Sequence, residues 1–383
     1  MSIKWMLKKD PSLASRLEGL KYVRRHEDET RDVTIENCIG FSQVPLGLAG
    51  PLKVEGPENT NDVFYAPLAT YEPTLVASCS RGCKAFNLSG GIQFEVLEDA
   101  MCRAPVFHFA DTGKAVAFAR RVPELQAQFA KDAESTSRHA RLLKLTPHII
   151  GPRVHVRFDY SCADATGQNM TTIATQKACD EFMNSHLAKE LQVQGFLVEG
   201  QMAADKKSSW GNVIQSPGRG VRVIAWGKIT DEACREVLKC STEELHHSLA
   251  IVKDAETRNG QFGSNINVVN VVTAMLIACG QDPACVAEAL WSHVTAEYDR
   301  ETKDLNWTIF IPSLPVGVVG AGTFYGTQKE CLELLQCRGP GMKRRLAGLI
   351  AAFALALDVS TLSAVTSHGF TSAHERLRRG SRL

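Results

Sequence analysis

Apolar and polar positions alternate differently along four stretches of the chain. Over residues 1–35, Leu13, Leu17 and Leu20 recur at helical spacing and lead into Arg24-Arg25-His26-Glu27-Asp28-Glu29, which predicts a short helical arm. From Cys38 the texture becomes short apolar pieces broken by glycine, IGFSQVPLGLAGPLKVEG, which predicts strands and tight turns. Between residues 105 and 197 the period changes in a set order. A strand at 106–109 is followed by a helix at 114–129, an apolar segment at 142–145 and a strand alternating through Val154, Val156, Phe158 and Tyr160. A helix at 169–187 then carries Met170, Ile173, Ala174, Ala178 and Phe182 on one side, and an apolar stretch at 193–198 closes the block. That order is β-α-β-β-α-β, the ferredoxin-like signature. From residue 209 the pattern predicts a strand at 221–226, helices at 231–239 and 267–279, a glycine-rich turn region at 317–322 and a buried helix at 346–357. The last of these is 12 consecutive apolar residues, short of the ~20 that cross a bilayer.

These elements predict an α+β chain. A large α/β domain (36–104 and 209–383) accepts the ferredoxin-like block (105–197) as an insertion, joined by a loop at 198–208 and preceded by the helical arm. Insertion at a loop is physically tolerated.

Composition narrows the function classes. Lys plus Arg number 43 and Asp plus Glu 42 in 383 residues, so neither nucleic acid nor an anionic membrane is expected as a partner. Hydrophobic residues make up 44%, enough to build a packed core and to exclude a disordered chain. The first twelve residues, MSIKWMLKKDPS, meet charge at once, and a cytoplasmic location is expected. The 12 cysteines are scattered, none in a C-x-x-C pair, so buried reduced thiols are expected and no metal site.

Five segments place ionisable groups among small residues, and each has two readings. Glu72 and Arg81 flank an apolar run; Glu72 is either a helix-capping surface carboxylate or a reactive one. Asp164-Ala-Thr-Gly-Gln-Asn169 stands between a strand and a helix, as a plain turn or as a pyrophosphate cradle lacking the G-x-G-x-x-G fingerprint. Asp205-Lys206-Lys207 is either solvated charge or a tuned cation beside a carboxylate. Gly280-Gln281-Asp282 ends an apolar helix, and Asp282 is either a turn residue or a desolvated acid. Ser367-His368-Gly369 follows the buried helix, with an imidazole on a glycine-flanked segment.

In this order the segments resemble one family, the soluble 3-hydroxy-3-methylglutaryl-CoA (HMG-CoA) reductases. Glu36-Asn-Cys-Ile-Gly40 through Pro45-Leu-Gly-Leu-Ala-Gly-Pro-Leu52 look like the family's ENVIG…PxGxAGPL, and residues 72–85 are similar to its ExxLVAS…RGCKA. Met101-Cys-Arg-Ala-Pro105 resembles MTRxP, and Asp164 to Met170 resembles DAMGMNM. Asp205-Lys206-Lys207 and Gly280 to Asp282 match DKK and GQD, and residues 311–323 look like MPS…GTVGGGT. The RGCKA, DKK and GQD forms are closer to the class with the eukaryotic and archaeal enzymes.

The resemblance implies reduction of the HMG-CoA thioester to mevalonate by two NADPH, with NADH as the alternative donor and coenzyme A released. It implies Glu72, Lys206, Asp282 and His368 as catalytic groups. Lys206 would stabilise the oxyanion, His368 would protonate departing CoA thiolate, and Glu72 would supply the aldehyde's proton if burial raises its pKa. Asp282 would couple to both Lys206 and Glu72. Asp164, Thr166, Gly167, Gln168 and Asn169 would hold the nicotinamide cofactor; Arg81, Arg103, Asp205, Lys207 and Asn270 would bind the acyl-CoA, Arg81 at the CoA moiety and Arg103 at the acidic acyl tail. A homodimer or larger assembly with active sites between subunits is implied.

The chain departs from the family pattern at Pro73, at Glu199 (where Ser is typical), at Asn267 (where His is usual) and in a tail carrying Arg376, Arg378, Arg379 and Arg382. Two other readings therefore stand beside the first: an enzyme acting on a different acyl-CoA or oxidatively with NAD, and a non-catalytic CoA- or nucleotide-binding relative.

Overall fold

The computed structural model describes residues 6–8, 12–25, 30 and 33–369. The N-terminal arm contributes α1 (Ser12–Glu18), and the Phe41 N–H ties the chain back to the Val23 carbonyl at 3.0 Å. Residues 26–29 of the charged arm and the arginine-rich tail lie outside the described residues.

The large unit opens with an antiparallel hairpin, β1 (Leu46–Gly56) and β2 (Thr60–Ala69), followed by α2 (Leu75–Leu88) and β3 (Ile92–Arg103). The chain then builds the second unit from β4 (Val106–His108), α3 (Thr112–Arg121), α4 (Gln126–Glu134), β5 (Arg141–Ile150), β6 (Arg153–Ser161), α5 (Gln168–Asn184) and β7 (Gly195–Leu197). It returns with β8 (Gly220–Ile229), α6 (Thr242–Asn259), α7 (Val268–Ala278), β9 (His293–Tyr298), β10 (Leu305–Leu314), α8 (Gly326–Leu334) and α9 (Met342–Thr366).

In the second unit the strands lie in the order β7-β4-β6-β5, all antiparallel, the ferredoxin-like arrangement that the pattern predicts. Its core is aromatic: Phe107 and Phe118 sit 5.0 Å apart, and Phe129 packs on Phe158 at 5.1 Å and on Phe182 at 5.3 Å. β3 joins the two units. Its first part pairs with β8 in the large sheet, and its last residues, Met101 to Arg103, pair with Tyr160 to Phe158 on β6. Arg103 is therefore delivered to the junction.

Several boundaries differ from the pattern. The helix expected over 114–129 is two helices, because Pro123 has no N–H to donate and sits in a 3₁₀ turn between them. The helix expected through 187 stops at Asn184, where extended Ser185 caps a new turn by accepting from the Ala188 N–H. Over 231–239 a short α turn passes into a π turn that ends at Lys239, φ 67°. The pattern predicts no element over 92–103, 242–259 or 293–314; β3, α6 and the β9–β10 hairpin form there. The signals were present: Ser241 and Glu244 make a capping box, and Leu305, Trp307, Ile309 and Ile311 are buried at alternate positions.

The apolar run at 346–357 lies within α9, which is 25 residues long. Length and composition alone would let it cross a membrane, but Leu346 to Ala364 are buried inside the protein, so it is the core helix of the large unit. All twelve cysteines are free thiols, eleven of them buried.

α2 crosses α9 closely because residue 82 has no side chain: a Cβ there would lie 1.8 Å from the Ala356 carbonyl oxygen. Backbone cannot step aside as a flexible side chain would. Gly82→Ala is therefore expected to destabilise the fold by about 1–3 kcal/mol, the usual cost of overpacking. A urea unfolding midpoint unchanged from wild type would contradict that account.

Candidate active site

The ionisable residues singled out in the sequence gather into two clusters, which α7 holds apart. The first lines a cleft of about 930 Å³ between the β1–β2 hairpin, α2, α7 and the later turns of α9. Glu72 stands at its mouth, after β2, where its Oε2 accepts from Asn270 Nδ2 at 2.7 Å and its N–H donates to Thr70 Oγ1 at 2.9 Å. Arg81, one helical stretch further along, is turned against α9: Nε donates to Ser360 Oγ at 2.9 Å and Nη2 to the Ser360 carbonyl. Burial lowers the Arg81 pKa, so a phosphate beside it would meet a weakly hydrated cation. Ala364 also lines the cleft, and His368 follows about one turn later, exposed, with φ 56° and its N–H on the Val365 carbonyl.

The cleft wall depends on a residue that sequence reasoning missed. Asp358 is fully buried on α9 and accepts the Ile266 and Asn267 N–H groups at 2.9 and 2.8 Å, so it holds the start of α7, from which Asn270 reaches Glu72. Asn267, where the family pattern expects His, donates to Thr361 Oγ1 at 2.9 Å. A lone carboxylate after twelve apolar residues was the available signal, since an isolated buried acid is rare.

The second cluster forms around the loop after β7. Lys206, at φ 55°, places Nζ 2.8 Å from Asp282 Oδ2, and its N–H donates to Glu288 Oε1 at 2.6 Å. The hydrogen bond to Asp282 raises the Lys206 pKa. Partial burial opposes ionisation of Asp282, but Lys206 and the Ala284 N–H outweigh it and hold the carboxyl below its ordinary value. Both groups are therefore charged near neutral pH. Arg219, fully buried, binds Asp205 at 2.7 Å and Glu288 at 3.2 Å. Arg103 lies on Asp205 at 3.3 Å and on Glu199 at 3.4 Å, and it donates to the Gln168 carbonyl at 3.2 Å. Lys207 is exposed, its Nζ turned back to the Asp205 carbonyl at 3.0 Å.

The segment 164–169 adjoins this second cluster. Gly167, at φ 89°, ends the turn and opens α5, where a Cβ would lie 2.4 Å from Cys162 Sγ. With glycine at the cap, no side chain satisfies the first N–H groups of α5, and its first turn carries no acid. Those donors suit a pyrophosphate. Gln168 begins the helix and bonds Cys285 through its amide at 3.2 Å; Asn169 is exposed; and Thr166 packs under Gly317. Among the described residues no cluster of His, Cys, Asp or Glu is disposed to hold a metal ion.

Three expectations change. Glu72 is exposed within one chain, not buried. Its partner is Asn270, and no hydrogen bond or ion pair among the described residues links it to Lys206 or Asp282: Asn270 lies in the first turn of α7 and Asp282 follows its end, with about 12 Å of helix running between. Asp164 spends both carboxylate oxygens on the N-terminus of α9, accepting the Gly341 N–H at 2.9 and 3.0 Å. His368 is beyond the other end of that helix, about 37 Å away.

The sequence matches the family described as hydroxymethylglutaryl-coenzyme A reductase over residues 4–379. It is 36% identical over 358 residues to the 3-hydroxy-3-methylglutaryl-coenzyme A reductase of Methanocaldococcus jannaschii, covering 92% of this chain and 86% of that protein. It is 38% identical over 364 residues to the enzyme of the same description from Haloferax volcanii, with the same coverage. In fold it resembles the class II 3-hydroxy-3-methylglutaryl-CoA reductase of Streptococcus pneumoniae solved with NADPH, at a TM-score of 0.69, 19% identity and coverage of 92% and 97%.

Burial raises the Asp358 pKa to about 7, against the pull of the Asn267 and Ile266 N–H groups. Its folded value lies above the 3.8 of an ordinary Asp, so its contribution to stability is complete below pH 3.8 and is lost as pH rises through about 7. Across that window the stability of wild type relative to Asp358→Asn should fall by up to about 1.4 kcal/mol per pH unit. Urea titrations at several pH values check this; parallel curves for the two proteins would contradict it.

Proposed function

This chain belongs to the hydroxymethylglutaryl-coenzyme A reductase family, and from that premise we propose that it reduces the HMG-CoA thioester to mevalonate with two NADPH, releasing coenzyme A. The observation that carries the reading is the paired Lys206 and Asp282 beside a helix N-terminus suited to a pyrophosphate, together with a cleft large enough for an acyl-CoA. A chain that only bound nucleotide or CoA would have no use for an ammonium fixed on a carboxylate in a half-open site.

Thr166, Gly167, Gln168 and Asn169 hold the dinucleotide in this reading, with Asp164 bracing their loop on α9. NADPH bound there supplies the hydride for both reductions. Lys206 donates to the substrate carbonyl oxygen as negative charge builds on it, and Asp282 keeps the ammonium oriented. The tetrahedral hemithioacetal collapses when His368 gives its proton to the departing sulfur. An imidazolium is by its chemical class a stronger acid than a thiol, so that transfer runs downhill. Glu72, positioned by Asn270 and exposed in a single chain, delivers the proton for the aldehyde step once a partner copy covers it. Arg81 meets the CoA moiety, and Arg103 and Asp205 lie at the acyl tail, while the Lys207 ammonium stays on the Asp205 carbonyl. The long apolar helix lies inside the core, which supports a cytoplasmic enzyme.

One chain cannot complete this site. Glu72, Asn270, Arg81 and His368 serve one end of α7 and α9, while Lys206, Asp282 and the 164–169 turn serve the other. We place the working site between two copies, the first group from one and the second from its partner, in a homodimer or larger assembly. Co-expressing Glu72→Gln with Lys206→Ala chains tests the arrangement. Mixed dimers then hold one intact site and one doubly altered site, so about a quarter of wild-type activity should return. A site built within one chain would return none.

Lys206→Ala is expected to lower reduction of both HMG-CoA and free mevaldehyde by about 10²–10³, because the same oxygen gains charge in each step. Lys207→Ala should cost far less, since its side chain faces solvent. Equal losses would reverse the assignment.

His368 separates the steps. His368→Gln should slow HMG-CoA reduction by about 10²–10⁴ while sparing mevaldehyde reduction, in which no thiolate leaves. A common fall in both reactions would make the tail's role structural.

A further inference from the structure

At the junction of the two units, both Nη groups of Arg103 are already occupied, while its buried Nε has no partner among the described residues. Only 9% of its side chain is exposed, and Nη1 faces Glu199 Oε2 at 3.4 Å and Asp205 Oδ2 at 3.3 Å. Glu199 is itself firmly held. Its Oε1 accepts the Gln201 N–H at 2.6 Å, and its Oε2 lies 3.5 Å from the Ala104 N–H. The surrounding charge does not favour another anion. Arg103 and Arg219 are the two guanidiniums, and Glu199, Asp205 and Glu288 the three carboxylates bonded to them. Lys206 is paired with Asp282, and the Lys207 ammonium is turned to the Asp205 carbonyl. His155, a further titratable neighbour of Glu199, is held by burial below its ordinary pKa in spite of that carboxylate, and so adds no cation near neutral pH; the buried thiols Cys102 and Cys285 add no charge either.

We infer that Glu199 is a specificity-determining residue: its carboxylate competes for the guanidinium that the distal carboxylate of HMG-CoA needs, and so narrows the margin by which the site prefers HMG-CoA over acyl-CoA thioesters with an uncharged tail. The inference rests on the reading of Arg103 as the acyl-tail contact. An anionic tail must displace Glu199 from Arg103 and then lie beside it, a like-charge contact that an uncharged tail avoids. Glu199→Gln keeps the shape and the acceptor for the Gln201 N–H while removing the charge. Glu199→Ser removes the competing group altogether.

The test compares HMG-CoA with 3-hydroxy-3-methylbutyryl-CoA, the same thioester with a methyl in place of the carboxymethyl arm. Dissociation constants are measured by calorimetry without nicotinamide cofactor, and kcat/KM by NADPH absorbance, for wild type and both variants. Both variants should shift the ratio of affinities at least about tenfold toward HMG-CoA, with the affinity for the uncharged analogue changing less than about twofold. A ratio that stays within twofold of wild type, or moves toward the uncharged thioester, would overturn the inference. If no protein oxidises NADPH with either thioester, the reductase reading fails, while the calorimetric ratio still decides the role of Glu199. Should the Ser variant fail to fold, the isosteric Gln variant carries the comparison.

Discussion

The complete burial of α9 is the constraint on which the rest of the structure depends. A helix of 25 residues removed from water along nearly its whole length must be covered on every side, and α2, α6, α7 and the large sheet pack against it. Close crossing with α2 requires Gly82. The helix then has few places for polar groups, and each is used: Asp164 caps its N-terminus, Asp358 receives the start of α7, and Ser360 receives Arg81. The cleft wall is therefore a by-product of core packing. Moving α9 by a turn would misplace Arg81, Asn270 and Glu72 together.

The same helix sets a distance. A rigid rod about 37 Å long keeps its two ends apart, and α7 puts a shorter stretch of helix, about 12 Å, between Asn270 and the turn that carries Asp282. Chemistry that draws on both ends is what the proposed sharing of the site between copies accounts for. β3 has the complementary effect. Because one strand pairs first in the large sheet and then in the small one, Arg103 is carried to the junction without a flexible linker. The ion pairs there are partly or wholly desolvated, where leaving one partner unpaired is costly, so the loop at 198–208 is held in register by charge as much as by packing.

The sequence by itself determined the order of elements in the ferredoxin-like unit, the buried thiols, the core helix and the residue types of the candidate site. Those features are written locally, in periodicity, in glycine placement and in short ordered motifs. It did not determine who pairs with whom. Glu72 meets Asn270 across 198 positions, Arg103 meets Glu199 across 96, and Asp358 reaches Asn267 across 91. Periodicity reports that a face is buried, not which element covers it, and a charged side chain takes whichever partner the packing brings within 3–4 Å. Those choices, and with them the split of the candidate site between the two ends of α9, were made only when the chain folded.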